Sequence, residues 1–198
     1  MRVSTEFLLS AVSAAQFPSV EAGKAVPEIA FLGRSNVGKS SLLNALVGAR
    51  AARVSQTPGR TRAINFFLVA DEGLKRKFVF ADLPGYGYAK IAKSISAEWP
   101  KFIEPYLERR AALRLCVCLV DANVPVQARD VQLLAWLRAK ERAFVVVATK
   151  ADRLSGNART RNLAALQSGL DVEGILPVSA KTGYGLRELW RTIEEAGK

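Results

Sequence analysis

Short apolar runs alternate along this chain with segments whose apolar residues recur at helical spacing. Residues 28–32, Glu28-Ile29-Ala30-Phe31-Leu32, are almost continuously apolar, as expected of a strand buried on both faces. In residues 40–47 the apolar side chains fall at Leu42, Leu43, Leu46 and Val47, one face of a helix. Strands are predicted at 64–69 and 77–81, joined by the tight turn Asp71-Glu72-Gly73, so this pair runs antiparallel at one edge. Further strands are predicted at 114–120, 144–149 and 175–178, and helices at 96–110, 128–140, 158–167 and 186–195. The alternation predicts an α/β fold of three layers. A mostly parallel central sheet with one antiparallel edge pair would carry helices on both faces. Ligands of such sheets sit at the carboxyl ends of the strands.

The turn between the first buried run and its helix carries chemistry. Gly33-Arg34-Ser35-Asn36-Val37-Gly38-Lys39-Ser40 fits the phosphate-loop pattern G-x-x-x-x-G-K-S/T without mismatch. Glycines let the backbone approach a phosphate chain, and the N–H groups turn inward as an anion nest. Lys39 would meet β- and γ-phosphate oxygens, and the Ser40 hydroxyl suits Mg²⁺. Strand, glycine loop and helix N-terminus in this order favour bound phosphate.

Three more motifs follow strand ends. The run Phe78-Val79-Phe80-Ala81 leads into Asp82-Leu83-Pro84-Gly85. There Asp82 can hold Mg²⁺ through water, and Gly85 can offer its N–H to a γ-phosphate. The next core run ends in Thr149-Lys150-Ala151-Asp152, which resembles the N/T-K-x-D guanine signature of GTPases. A carboxylate at Asp152 accepts from guanine N1–H and the 2-amino group, donors adenine lacks, so ATP would leave it unpaired. The stem of Lys150 can pack over the base. Val178-Ser179-Ala180 resembles the loop whose Ala N–H meets guanine O6. A second Mg²⁺ hydroxyl is expected from 55–61, a polar Gly/Pro-punctuated loop where Thr57 and Thr61 compete. Thr61 directly precedes a strand and is chosen.

Composition narrows the class. The chain has 198 residues, enough for one domain with a substantial core, and 49% hydrophobic residues. No apolar run reaches the ~18–20 residues of a membrane span. Residues 1–18 are faintly like a secretion signal, but Glu6 and interrupting serines argue for a cytoplasmic N-terminus. With no histidine, imidazole acid–base chemistry is excluded. Cys116 and Cys118 alternate on one apolar run and read as core thiols of a reducing compartment. The net charge of +11 exceeds what solubility needs. Arginines 50, 53, 60 and 62 crowd the phosphate-site loops. Such a chain is drawn to RNA phosphates in a salt-dependent way. No stable membrane association is expected, because no basic amphipathic helix with bulky anchors stands out.

The wording of the motifs is specific. G-R-S-N-V-G-K-S-S-L-L-N-A-L, S-Q-T-P-G-R-T-R-A-I-N-F-F, D-L-P-G-Y-G-Y-A and T-K-A-D closely resemble the EngB (YihA/YsxC) family of bacterial GTPases, of the TrmE-Era-EngA-EngB-Septin-like class. The resemblance implies a P-loop GTPase fold over residues 27–198, with 1–26 as an N-terminal extension packed on it. It implies a GTP-binding protein and slow GTPase that acts as a nucleotide-dependent assembly factor for the large ribosomal subunit, with its precursor and rRNA as partners, a monomer in the cytoplasm, and a family link to cell division and septation. It extends the GTP-binding set to Gly59, Arg60, Thr61, Arg62 and Ala63, with Lys39, Thr61 and Gly85 as the catalytic groups. Tyr86 stands where many GTPases carry a water-orienting Gln, which implies slow turnover raised by K⁺ or by the ribosomal particle. Asn36 is the candidate K⁺ ligand, and bracing of the loop is the equal alternative. Arg60 and Arg62 read as cis arginine fingers or as RNA contacts. A P-loop small-molecule kinase and an RNA-binding protein with a structural nucleotide are the alternative classes.

Overall fold

The computed structural model describes residues 3–18, 26–48, 63–71, 73, 76–86 and 101–198. Among the described residues seven strands form one sheet: β1 (Val3–Ala11), β2 (Glu28–Gly33), β3 (Ile64–Asp71), β4 (Arg76–Asp82), β5 (Leu113–Asp121), β6 (Phe144–Thr149) and β7 (Leu176–Pro177). Their spatial order is β1-β3-β4-β2-β5-β6-β7. From β4 to β7 every pairing is parallel. The predicted antiparallel edge is present as β3 against β4, with Asn65 opposite Asp82.

Alternation along the central strands feeds two cores. Ile29 and Phe31 point to one face and Ala30 and Leu32 to the other. The first face is covered by α1 (Lys39–Val47) and α5 (Leu186–Ala196), through Leu42, Leu43 and Leu46 and through Leu189, Trp190 and Ile193. Trp190 ties these helices together, donating its indole N–H to the Leu46 carbonyl at 3.0 Å. The opposite face is covered by α2 (Ile103–Arg109), α3 (Ala128–Ala139) and α4 (Gly156–Leu170). Cys116 and Cys118 are buried there as free thiols, and burial pushes the Cys116 thiol up to about 12.

Two elements depart from the expected pattern. β1 extends the antiparallel edge by pairing with β3 from Val3↔Asp71 to Ala11↔Ile64. Its register shifts between Phe7 and Leu9. Such a bulge puts three apolar residues in succession and breaks the period of two that reveals a strand. β7 shrinks to two residues, because Pro177 has no N–H to give a further strand and is tolerated only at an edge. The predicted helix at 96–110 is present over Ile103–Arg109, with Phe102 as its N-cap, and residues 96–100 lie outside the described residues.

Behind the sheet edge, a polar cluster anchors the segment before β2. Glu28 is buried, yet it accepts from Tyr106 Oη at 2.9 Å and from Arg110 Nε at 3.0 Å. Arg110 also donates to the Pro18 carbonyl and lies over the Phe17 ring. Phe17 packs edge-on against Phe66 and Tyr106.

Candidate nucleotide-binding site

The carboxyl ends of β2, β4 and β6 and the loop after β7 bring the predicted motifs to one side of the sheet. Gly38 takes a left-handed backbone (φ 103°) as N-cap of α1, a conformation that L side chains rarely adopt. Asn36 is also left-handed (φ 65°), which Asn tolerates better than most residues. Its exposed amide makes no hydrogen bond among the described residues. Lys39 forms an ion pair with Asp82, so the phosphate-loop cation and the β4 carboxylate share one place.

The D-x-x-G segment runs alongside the phosphate loop. The Ser35 N–H donates to the Tyr86 carbonyl (3.1 Å), and the Tyr86 N–H donates to the Gly33 carbonyl (3.3 Å). A Cβ at Gly85 would lie 3.0 Å from Ser35 Oγ and 3.1 Å from Ser35 N, so only glycine fits without displacing the loop. The Tyr86 ring is turned into the core, where its hydroxyl donates to Asp130 at 3.0 Å. Arg34 likewise turns towards Asp130, with Nε 3.3 Å from the second carboxylate oxygen but not aligned as a hydrogen bond.

The T-K-A-D segment reaches back to the phosphate loop. Thr149 is buried, and its hydroxyl bonds the carbonyls of Val37 (2.6 Å) and Val120 (3.0 Å). Lys150, left-handed at φ 58°, donates from Nζ to the Asn36 carbonyl (2.9 Å) and to Asp121 (2.7 Å). Burial works against ionisation of Asp121, but bonds from Lys150 and Asn123 prevail and hold its carboxyl below the usual range. Asp152 is exposed and accepts from Ser179 Oγ at 2.7 Å, a bond that lowers its pKa. The Ala151 N–H donates to the Val178 carbonyl, locking the two loops together.

Between these loops lies a cleft of about 280 Å³, bordered by Gly38, Thr149, Lys150, Asp152, Val178 and Ala180. Ser40 is the second residue of α1, at the phosphate-loop end, and Leu83 and Pro84 carry the chain from Asp82 to Gly85. Ala63 directly precedes β3, whereas Gly59, Arg60, Thr61 and Arg62 lie outside the described residues, as do Thr57, Arg50 and Arg53. The sequence assigns no role to Asp121 or Asp130, and Tyr86 reads only as standing at the water-orienting Gln position. Asp121 could have been noticed as the acidic end of an apolar run, as Asp82 was. Asp130 offers no such signal, since an acid in the first turn of a helix is common.

Fold and cleft together define a P-loop GTPase domain. The profile of a family described as "50S ribosome-binding GTPase" matches residues 28–150. A "Probable GTP-binding protein EngB" of Acidobacterium capsulatum is 60% identical over 195 residues, covering 98% of this chain and 90% of its own. Another with the same description, from Koribacter versatilis, is 57% identical, covering 99% and 95%. The chain belongs to the EngB family of GTPases. A crystal structure of a probable GTP-binding protein engB superposes with a TM-score of 0.65 at 26% identity, covering 85% of this chain and 97% of that one. Aquifex aeolicus Era bound to GDP.AlF4- shares the fold, with a TM-score of 0.72 at 24% identity over 88% of this chain and 58% of its own.

Proposed function

We propose that this chain binds GTP with Mg²⁺, hydrolyses it slowly to GDP and phosphate, and acts in the GTP state on a precursor of the large ribosomal subunit. The carrying observation is one cleft bordered by Gly38 of the phosphate loop, next to the Lys39–Asp82 ion pair in the chain, and by the Ser179-braced carboxylate of Asp152. Asp152 would accept from guanine N1–H and the 2-amino group, and the Ala180 N–H would meet O6. Residues 33–40 would cradle the phosphates. Thr149 and Lys150 would act chiefly by holding the cradle to the base-binding loops.

The donors fit a hard divalent cation. Ser40 supplies a hydroxyl, Asp82 a carboxylate, and Thr61 is proposed to supply a second hydroxyl; phosphate and water must complete the set. When bound, Mg²⁺ neutralises charge on the β- and γ-phosphate oxygens. Lys39 would exchange Asp82 for phosphate oxygens, and the Gly85 N–H would donate to the γ-phosphate. The Tyr86 hydroxyl is committed to Asp130, so it does not orient the attacking water. Turnover is therefore slow and is raised from outside, by K⁺ at the exposed amide of Asn36 or by the ribosomal particle.

Net charge of +11 and the family's description support a ribosomal partner. In this reading the protein is a cytoplasmic monomer whose loss disturbs cell division and septation through ribosome supply. The test is sedimentation with purified large subunits at several salt concentrations. A non-hydrolysable GTP analogue should strengthen binding relative to GDP, and Thr61→Ala should erase most of that difference while sparing GDP affinity. Equal co-sedimentation in both nucleotide states would refute the switch.

A further inference from the structure

Arg34, Tyr86 and Asp130 meet in a buried junction of three elements: the phosphate loop, the D-x-x-G segment and the first turn of α3. Tyr86 is 1% exposed and Asp130 3%. A carboxylate is an expensive choice for a position that packing alone could fill with an apolar side chain. Its two oxygens divide between the two loops: one accepts from Tyr86 Oη, and the other faces Arg34.

We propose that Asp130 is a positioning residue for the γ-phosphate, holding Gly85 against the phosphate loop through Tyr86. The inference rests on the assignment of the Gly85 N–H to the γ-phosphate. Gly85 has no side chain with which to anchor itself. Its place is set by the next residue, whose backbone bonds Gly33 and Ser35 and whose ring ends at Asp130. The groups assigned to guanine and to the loop's shape are braced separately, by Thr149 on the Val37 carbonyl, Lys150 on the Asn36 carbonyl and Ser179 on Asp152. Loosening the junction should therefore weaken GTP and leave GDP nearly untouched.

Calorimetry on the full chain would compare GDP with a non-hydrolysable GTP analogue, alongside single-turnover hydrolysis. Asp130→Ala and Tyr86→Phe should each lower analogue affinity about tenfold, the scale of one hydrogen bond, with GDP affinity changed less than about twofold. Hydrolysis should fall at least as far. Asp130→Asn keeps an acceptor for Tyr86 and should recover most of the loss. Because the link is shared, Tyr86→Phe with Asp130→Ala should be no worse than the more damaging single change. Tyr86→Phe keeps the ring in the core, so the test survives if Asp130→Ala fails to fold. Lowered melting temperatures with an unchanged analogue-to-GDP ratio would overturn the proposal, provided that Gly85→Ala does shift that ratio. If Gly85→Ala leaves the ratio unchanged as well, the γ-phosphate assignment itself fails and the proposal falls with it.

Discussion

Ser179 Oγ donates a 2.7 Å hydrogen bond to Asp152 Oδ1, while accepting from the N–H groups of Lys181 (3.2 Å) and Thr182 (3.1 Å). One hydroxyl thus orders its own loop and aims the carboxylate assigned to guanine. The bond from Ser179 keeps the Asp152 carboxyl below its ordinary range.

Two consequences can be measured by titration with GDP. Because Asp152 must be ionised to accept two donors and the Ser179 bond holds its carboxyl below the ordinary range, affinity should stay flat as pH falls to the ordinary Asp pKa of about 4 and drop only further below it. Ser179→Ala removes the bond that favours the charged form, so the fall should begin at higher pH. Asp152→Asn should move preference towards xanthine nucleotides, whose 2-oxo group suits an amide donor. Equal affinity of the unaltered protein for ADP and GDP would refute the assignment.

Thr149→Val keeps the shape of the side chain but leaves the carbonyls of Val37 and Val120 without its hydroxyl. Loss of that buried bond should cost about 1–3 kcal/mol of stability in chemical denaturation. Nucleotide affinity should fall too, because the Val37 carbonyl belongs to the phosphate loop.

Lys39→Ala removes a charge-assisted contact to phosphate and should weaken GDP and GTP alike, by about 2 kcal/mol or more. Ser40→Ala should act mainly through Mg²⁺, so its defect should shrink when affinities are compared in chelator. If Lys39→Ala bound nucleotide as tightly as the unaltered chain, the phosphate-loop assignment would be abandoned.

Glu28→Ala would strand the Arg110 guanidinium and the Tyr106 hydroxyl beneath the N-terminal segment. Breaking one side of a buried ion pair costs about 3–5 kcal/mol, which thermal unfolding would read as a large fall in melting temperature. Glu28→Gln retains acceptor capacity and should cost less. Nucleotide selectivity should not change in either variant, since the cluster lies on α2 and β2 away from the cleft.

The layered fold was legible because each central strand is short, apolar and followed by a helix or a motif. The phosphate loop was legible for a stronger reason: its glycines and lysine are dictated by backbone shape and charge, which leaves few substitutes. What escaped was decided by contacts distant in sequence. β1 is hidden by its bulge, and its pairing depends on β3, whose partner residues lie more than fifty positions away. Lys150 suggested a stem over the base, yet its ammonium spans to Asn36 and Asp121, 114 and 29 residues distant in the chain. Tyr86 appeared only as a missing Gln, because nothing local announces that Asp130 waits for its hydroxyl.

The strand order also bears on how the protein emerges during its own synthesis. β1 is made first, but its sheet partner ends at Asp71, and β2 must wait for both β4 and β5, the last of which ends at Asp121. Among the described residues, consecutive strands also pair as β5 with β6 and β6 with β7, but across α3 and α4, whereas β3 and β4 are joined by the shortest connection. Pairings that close short loops form soonest, so this hairpin is the natural template. β1 has no partner until Asp71 has been made and β2 none until β4 is complete at Asp82, and the phosphate loop that follows β2 gains both flanking strands only after Asp121.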